Sequence, residues 1–205
     1  MTIHEPATLL TDCLLALLAM VCGWQLGRRA NPSRRWWSRA LWMTGTAALI
    51  GGTHHGFGQL LGGTASAALW RATLLLISLT SAAMSLTLVH EFAPEPSRRA
   101  WSCLVWCKFA GFALVGLAHP LFLVAIVDYG LAMLALAAAA LCAARAWRGP
   151  MLAAVALSAL AAAVQQMQWG FSAHFDHNAL YHVIQGAAVF LFYRAGQKLR
   201  ALESR

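Results

Sequence analysis

The sequence predicts an all-α integral membrane protein, a bundle of seven transmembrane helices with the N-terminus outside and the C-terminus in the cytoplasm. Of its 205 residues, 60% are hydrophobic and only 11% are charged, whereas a soluble domain averages about 25% charged residues. The hydrophobic residues form seven runs, and basic residues lie between alternate pairs of runs. A soluble domain of this length could not cover so much apolar surface with polar groups.

Seven segments are apolar and long enough to cross a bilayer as helices, which takes about 20 residues. No Lys or Arg precedes the first segment and no small-residue cleavage site follows it, so we expect it to remain a helix of the protein. Pro120 separates the fourth segment from the fifth, and Gly149-Pro150 separates the fifth from the sixth. Residues 1–205 are predicted to form one domain with spans at roughly 8–27, 40–62, 69–90, 101–119, 121–144, 150–168 and 179–196.

The positions of Lys and Arg predict the orientation. In the seven-span arrangement, 14 of the 15 basic residues lie on one side, and Arg71 is the exception. Because Lys and Arg concentrate in cytoplasmic segments, that side is assigned to the cytoplasm. The net charge of +8 is then a topology signal, so we expect a lipid bilayer and no nucleic acid as partner. Six tryptophans on the same side are predicted to anchor the interface: Trp36, Trp37, Trp42, Trp101, Trp106 and Trp147.

The membrane is expected to be a bacterial inner membrane, because the chain is compact and shows no targeting peptide. The oligomeric state stays open. Glycine is concentrated in the second span, where the run 45–63 contains Gly52-x-x-x-Gly56. Small residues let helix backbones approach closely, so this helix is expected in the bundle interior, with a dimer contact as the alternative.

Most histidines are predicted to share the outer side of the membrane. Seven of the eight lie there, all except His90. Ionisable groups within a span usually face the bundle interior or a water-filled cavity, and neutral imidazole is the commonest metal ligand. Asp128 lies in the fifth span, with no basic residue expected at its depth to form an ion pair. Three imidazoles and a water form an open catalytic zinc site.

The stretch from Gly52 to Gly56, Gly-Thr-His-His-Gly, resembles the helix-2 motif of the alkaline ceramidase and progestin/adiponectin receptor superfamily, often called CREST. The stretch from His177 to Gln185 resembles its helix-7 motif. The resemblance implies seven helices around a histidine-bound zinc ion and the hydrolysis of lipid amide bonds. The family also places an aspartate on helix 3, a role that Asp128 or Asp176 would take in this chain.

Together with this resemblance to the alkaline ceramidase and progestin/adiponectin receptor superfamily, the histidine pattern implies zinc ligands at His55, His177 and His182, with water in the fourth position. It leaves open which of His54 and His55 faces the ion. Asp128 or Asp176 would then be the general base or would orient a ligand, and His54 would shuttle a proton or stabilise an oxyanion. His177 and His182 are five residues apart, so both reach one ion only if His177 precedes the seventh helix. Asp176 is also a favoured residue type for capping that helix.

Two functions from different classes therefore remain open. One is a zinc-dependent membrane hydrolase acting on a lipid-like amide or ester, which needs at least three ligands within zinc distance. The other is a non-enzymatic seven-helix sensor, transporter or assembly protein with a polar or pH-sensitive histidine pocket, since histidine titrates between about pH 5 and 8. The second class tolerates histidines that lie too far apart to share an ion.

Overall fold

A computed structural model describes residues 3–28, 31–143, 145–172 and 174–199, and the regular structure in these ranges is entirely helical. The all-α prediction is confirmed. Of the predicted positive charges, Arg29, Arg200 and Arg205 lie outside the described residues. The described part of the chain forms seven helices: α1 (Pro6–Gly27), α2 (Pro32–Phe57), α3 (Gly62–Phe92), α4 (Glu95–Ala118), α5 (Phe122–Cys142), α6 (Arg148–Gln166) and α7 (His177–Gly196).

Five of the described helices are long and apolar enough to cross a membrane, namely α1, α3, α4, α5 and α6. The chain is therefore an integral membrane protein. Helices α2 and α7 have 26 and 20 residues, but polar side chains lower their hydropathy. Arginines and histidines occupy α2, and His182, Gln185 and Arg194 occupy α7.

Local sequence signals explain where α2 begins and ends. Asn31 caps α2 by accepting a hydrogen bond from the Arg34 backbone N–H at 2.9 Å, and Pro32 follows at the first helical position, which favours a helix start. Helix α2 ends at Phe57 rather than near residue 62, because the turn 58–61, which begins with Gly58, leads directly into α3. The turn thus brings α2 and α3 side by side.

Three glycines of α2 face α1. A Cβ atom added at Gly45 would lie 2.7 Å from Met20 Cγ, and one at Gly52 would lie 2.7 Å from Asp12 Cβ. At Gly56 it would lie 2.8 Å from Leu9 Cδ2. The predicted interior position of this helix is confirmed, and Gly52-x-x-x-Gly56 contacts a helix of the same chain.

Gly52→Ala is expected to lower the free energy of unfolding by about 1–3 kcal/mol, because the new methyl group overpacks the contact with Asp12. Gly51→Ala is the matched control in the same helix, since its Cβ would lie 3.4 Å from Thr73 Cγ2, an ordinary contact. Thermal denaturation in detergent measures both variants. Equal midpoints for the two variants would contradict the close packing of α1 on α2.

The helices alternate in direction, so their termini form two ends of the bundle. We call one the histidine end; it comprises the start of α1, the α2–α3 and α4–α5 turns and the α6–α7 loop. Contacts there join His4 N–H to Gly56 O at 3.2 Å and Gln165 Nε2 to Asn178 Oδ1 at 2.9 Å. We call the opposite end the arginine end, where Arg34 Nε donates to the Leu199 carbonyl at 3.0 Å.

Of the six tryptophans predicted at the interface, Trp36 is half-buried and the other five divide into two groups. Trp42, Trp101 and Trp106 are exposed, as anchors at a membrane interface would be. Trp37 and Trp147 are fully buried in the core, and the Trp37 indole Nε1–H donates to the Phe192 carbonyl at 2.9 Å. The interfacial prediction is therefore wrong for these two, because helix packing between α2 and α7 encloses Trp37.

Candidate functional site at the histidine end

An open cavity of about 370 Å³ lies at the histidine end, between the start of α1 and the α2–α3 turn. Its wall combines imidazole, carboxylate, amide and hydroxyl groups with the bare backbone of three glycines. The lining residues are His4, Glu5, His54, His55, Gly58, Gln59, Gly62, Gly63 and Ser66. We call this space the histidine-end cavity.

Glu5 is the charged centre of the cavity wall. Its Oε2 atom lies 2.9 Å from His55 Nδ1 and accepts a hydrogen bond from Asn178 Nδ2 at 3.4 Å. Its Oε1 atom lies 3.5 Å from His4 Nδ1. A carboxylate oxygen accepts hydrogen bonds, so the His55–Glu5 contact is a hydrogen bond when Nδ1 of His55 bears the N–H. Glu5 was not among the predicted site residues, although the adjacent His4-Glu5 pair beside a polar span was a usable signal.

Ser66 and His54 form a second polar pair in the cavity wall. Ser66 Oγ lies 3.2 Å from His54 Nδ1. The His54 ring packs on the Trp70 ring with 5.3 Å between centroids, and Trp70 Nε1–H donates to the Pro120 carbonyl at 2.8 Å. The indole therefore fixes the imidazole in place. Ser66 was missed, because one serine among the small residues of a span start gives no distinctive pattern.

Helix α3 begins at the cavity without a side-chain cap. Gly62 has a φ of +73°, a left-handed conformation that glycine adopts without strain. Among the described residues, the N–H groups of Gly62, Gly63 and Thr64 have no backbone acceptor outside the helix. Such a terminus carries a partial positive charge and presents unpaired donors. The cavity thus has a group of N–H donors beside the Ser66–His54 pair.

His182 lies deeper in the bundle and is only 8% exposed. Its Nε2 atom is 3.1 Å from Asp12 Oδ1, and its Nδ1 atom is 3.3 Å from Thr11 Oγ1. The ring edge faces His55, with 6.4 Å between centroids. Both nitrogens of His182 are therefore engaged by α1, in contrast to the free ligand that the sequence predicted.

The start of α7 explains where His177 and Asp176 lie. His177 is the first residue of the helix rather than a residue before it, so the condition for its sharing an ion with His182 is not met. Among the described residues, no hydrogen bond, ion pair or ring contact joins His177 to His55. The Asp176 carboxylate accepts from the Ala179 backbone N–H at 3.0 Å and from Thr8 Oγ1 at 3.2 Å. In this arrangement Asp176 caps the helix.

Asp128 belongs to a different part of the molecule. It is fully buried where α3, α4 and α5 meet, and it forms an ion pair with Lys108. Ser81 Oγ lies 2.9 Å from Asp128 Oδ1, and Lys108 Nζ donates to Ser81 Oγ at 2.7 Å. The expectation that no basic residue could pair with Asp128 is wrong, because Lys108 lies in the middle of α4 rather than beside a loop.

Comparison with known proteins gives a family for the chain. A model of a family of unknown function, DUF6962, matches residues 7–201, a range that spans all seven helices. The chain belongs to the DUF6962 family. No curated protein and no solved structure matches the sequence. The resemblance to the ceramidase and progestin/adiponectin receptor superfamily therefore stays a prediction.

The predicted zinc ligands of this DUF6962 protein do not converge on one point. Within the described ranges, no three His, Cys, Asp or Glu side chains are arranged to hold a metal ion. His55 and His182 approach each other, but Asp12 and Thr11 engage the nitrogens of His182, and His177 stands apart. The three-histidine set thus does not fit a single ion in this arrangement, and we derive no chemistry through one.

Proposed function

We propose that this protein is a seven-span membrane hydrolase that cleaves a lipid-like ester or amide in the histidine-end cavity. The cavity wall carries the proposal, because it combines a hydroxyl, two imidazoles and a carboxylate, from Ser66, His54, His55 and Glu5. Acyl transfer uses a hydroxyl nucleophile activated by an adjacent imidazole, and a positioned acid or base moves the proton. These groups lie together in a chain that is otherwise mostly apolar.

The rim of the cavity supports a lipid-like substrate. Ile3, Phe57, Leu60 and Leu61 each follow or precede a lining residue in the chain, and they are 37% to 47% exposed. A polar cavity with an apolar rim suits a molecule that has both a polar group and a hydrocarbon chain. The headgroup would enter among the histidines while the chain stays beside the leucines.

The proposed topology has all seven helices crossing the membrane, with the histidine end outside. A helix of 20 residues, such as α7, is about 30 Å long and matches the hydrocarbon thickness. Packing against the apolar helices α1 and α6 compensates for the polar residues of α7. A bacterial inner membrane is part of the same proposal, and the cavity then opens away from the cytoplasm.

The test is hydrolysis by the full chain reconstituted in phospholipid vesicles. Fluorogenic esters and amides with short and long acyl chains are the probes, and we expect turnover that favours long chains. His54→Gln should reduce turnover at least about 100-fold, because general-base catalysis contributes roughly 10²–10⁴. His119→Ala is the matched control, since His119 is exposed at the same end, at the end of α4.

Two results would overturn the proposal. The first is no turnover of any probe by folded protein, which would favour a non-enzymatic histidine pocket. The second is equal turnover by wild type and His54→Gln. Elemental mass spectrometry on protein purified without added metal tests the zinc prediction separately. Near one zinc per chain, lost in His55→Ala, would support that prediction, whereas its absence would contradict it.

A further inference from the structure

We infer that Ser66 is the nucleophile of this site, with His54 as its general base and the first turn of α3 as the donor of hydrogen bonds to an oxyanion. The inference rests on the proposed function and names the residues that perform it. It requires no metal ligand, and Ser66 lies outside both motifs that the sequence analysis selected.

A hydroxyl and an imidazole pair directly in the cavity wall. Ser66 Oγ and His54 Nδ1 are 3.2 Å apart in the wall of the same open cavity. Nucleophile–base pairs lie within about 2.6–3.2 Å of each other and are often looser without substrate. Trp70 holds the imidazole through ring packing at 5.3 Å, so the base has a fixed position. A serine that only filled space would not need a positioned imidazole.

The position of Ser66 in its helix also favours a nucleophile. Ser66 is the fifth residue of α3, and side chains of a helix lean toward its N-terminus. Its hydroxyl therefore leans toward the turn where, in the part of the chain that the structure describes, the N–H groups of Gly62, Gly63 and Thr64 have no backbone acceptor outside the helix. Backbone donors beside a nucleophile stabilise the negative oxygen of a tetrahedral intermediate. Gly63 leaves that space open, since a Cβ there would meet nothing within 4 Å.

A glycine lies over the pair. A Cβ atom at Gly58 would lie closest to the His54 carbonyl oxygen, and 3.0 Å from both His54 Nδ1 and Ser66 Oγ. Any larger residue would press on both atoms of the hydrogen bond. Gly58 thus leaves room for the pair, and this gives the turn 58–61 a role beyond joining two helices.

The reaction balances with water as the only co-reactant. Ser66 Oγ forms a bond to the substrate carbonyl carbon while its proton moves to His54. The bond from that carbon to the leaving group then breaks, and the leaving group takes the proton from His54. Water hydrolyses the resulting ester on Ser66 in the same way, which releases the acid and restores the hydroxyl.

The experiment is covalent labelling of the full chain in detergent with an alkyl fluorophosphonate. The Ser66 oxygen would form a bond to phosphorus as the phosphorus–fluorine bond breaks and fluoride leaves. We expect close to one adduct per chain, located on Ser66 by peptide mass spectrometry. Labelling should be absent in Ser66→Ala and slowed about 10²–10⁴-fold in His54→Gln. Ser172→Ala is the matched control, an exposed serine in the loop at the same end.

Location of the adduct on wild-type protein decides the question even if a variant fails to fold. No adduct on folded wild type, or an adduct on another residue, would overturn the inference. Labelling and vesicle turnover also separate the two proposals. Turnover that survives in Ser66→Ala would refute the assignment of Ser66 as nucleophile but not the hydrolase proposal. Labelling of Ser66 without turnover of any probe would refute the hydrolase proposal and show only that Ser66 is a reactive serine.

Discussion

Lys108→Ala is expected to lower the free energy of unfolding by about 3–5 kcal/mol, the cost of breaking a buried ion pair by removing one partner. The Asp128 carboxylate is fully buried, and its Oδ2 atom has no hydrogen-bond partner among the described residues. Removing the ammonium would leave Ser81 as its one side-chain donor. Helix α4 should loosen first, since only Val105 and Gly116 of that helix are buried. Thermal denaturation in detergent measures the loss.

The double variant Lys108→Met with Asp128→Leu is the control for this prediction. Apolar residues of similar volume often replace a buried ion pair without loss of stability. The double variant should therefore unfold at a temperature close to that of the wild type. A cost below about 1 kcal/mol for Lys108→Ala would contradict the pairing. It would indicate that the ammonium reaches water or lipid headgroups instead of Asp128.

His182→Ala is expected to lower the free energy of unfolding by about 1–3 kcal/mol, the cost of leaving a buried polar group without its hydrogen-bond partner. The reason lies in Asp12, which is almost fully buried and whose Oδ2 atom already lacks a partner among the described residues. Without the imidazole, Oδ1 loses its contact at 3.1 Å as well. His177→Ala is the matched control in the same helix. Because the His177 side chain is partly exposed, its removal should change the free energy of unfolding by less than about 0.5 kcal/mol.

A second variant separates the roles that His182 could have. Asp12→Ala combined with His182→Ala removes both polar partners, so its midpoint should lie above that of His182→Ala. Fluorophosphonate labelling of Ser66 should persist in the double variant, because neither residue touches the Ser66–His54 pair. Loss of bound zinc together with loss of turnover in His182→Ala, at unchanged stability, would instead support the predicted ligand role.

The fold could be predicted because the hydrophobic effect leaves a signal that repeats along the chain. Each run of apolar residues needs a helix in lipid, since backbone groups there must pair within the helix. Pro120 marked the boundary between α4 and α5 to within one residue on each side, whereas the predicted second span ran on to residue 62, past the end of α2 at Phe57. The interior position of α2 was predictable from its glycines, because small residues let the backbone of a neighbouring helix approach closely.

The site could be predicted only in part. His54 and His55 were selected because imidazoles inside a span are costly and rare, and both line the cavity. Ser66 and Glu5 were not selected, since a serine or a glutamate near a helix start is common and carries no signal alone. The role of His182 depends on Thr11, 171 residues away in the chain, and no spacing rule links positions so distant. Lys108 was counted with the cytoplasmic charges just inside the fourth span, whereas it lies in the middle of α4 and reaches Asp128.

The packing of α1 against α7 has a consequence for biosynthesis. Residues of α1 leave the ribosome and enter the membrane long before His182 exists. During that interval the Asp12 side chain has no imidazole to bind and must be shielded by lipid headgroups, water or an insertion factor. The polar contact of α1 therefore forms only after α7 has been inserted. A chain stalled before α7 would expose an acidic residue that membrane quality control could recognise. Such a protein should depend unusually on rapid, complete translation.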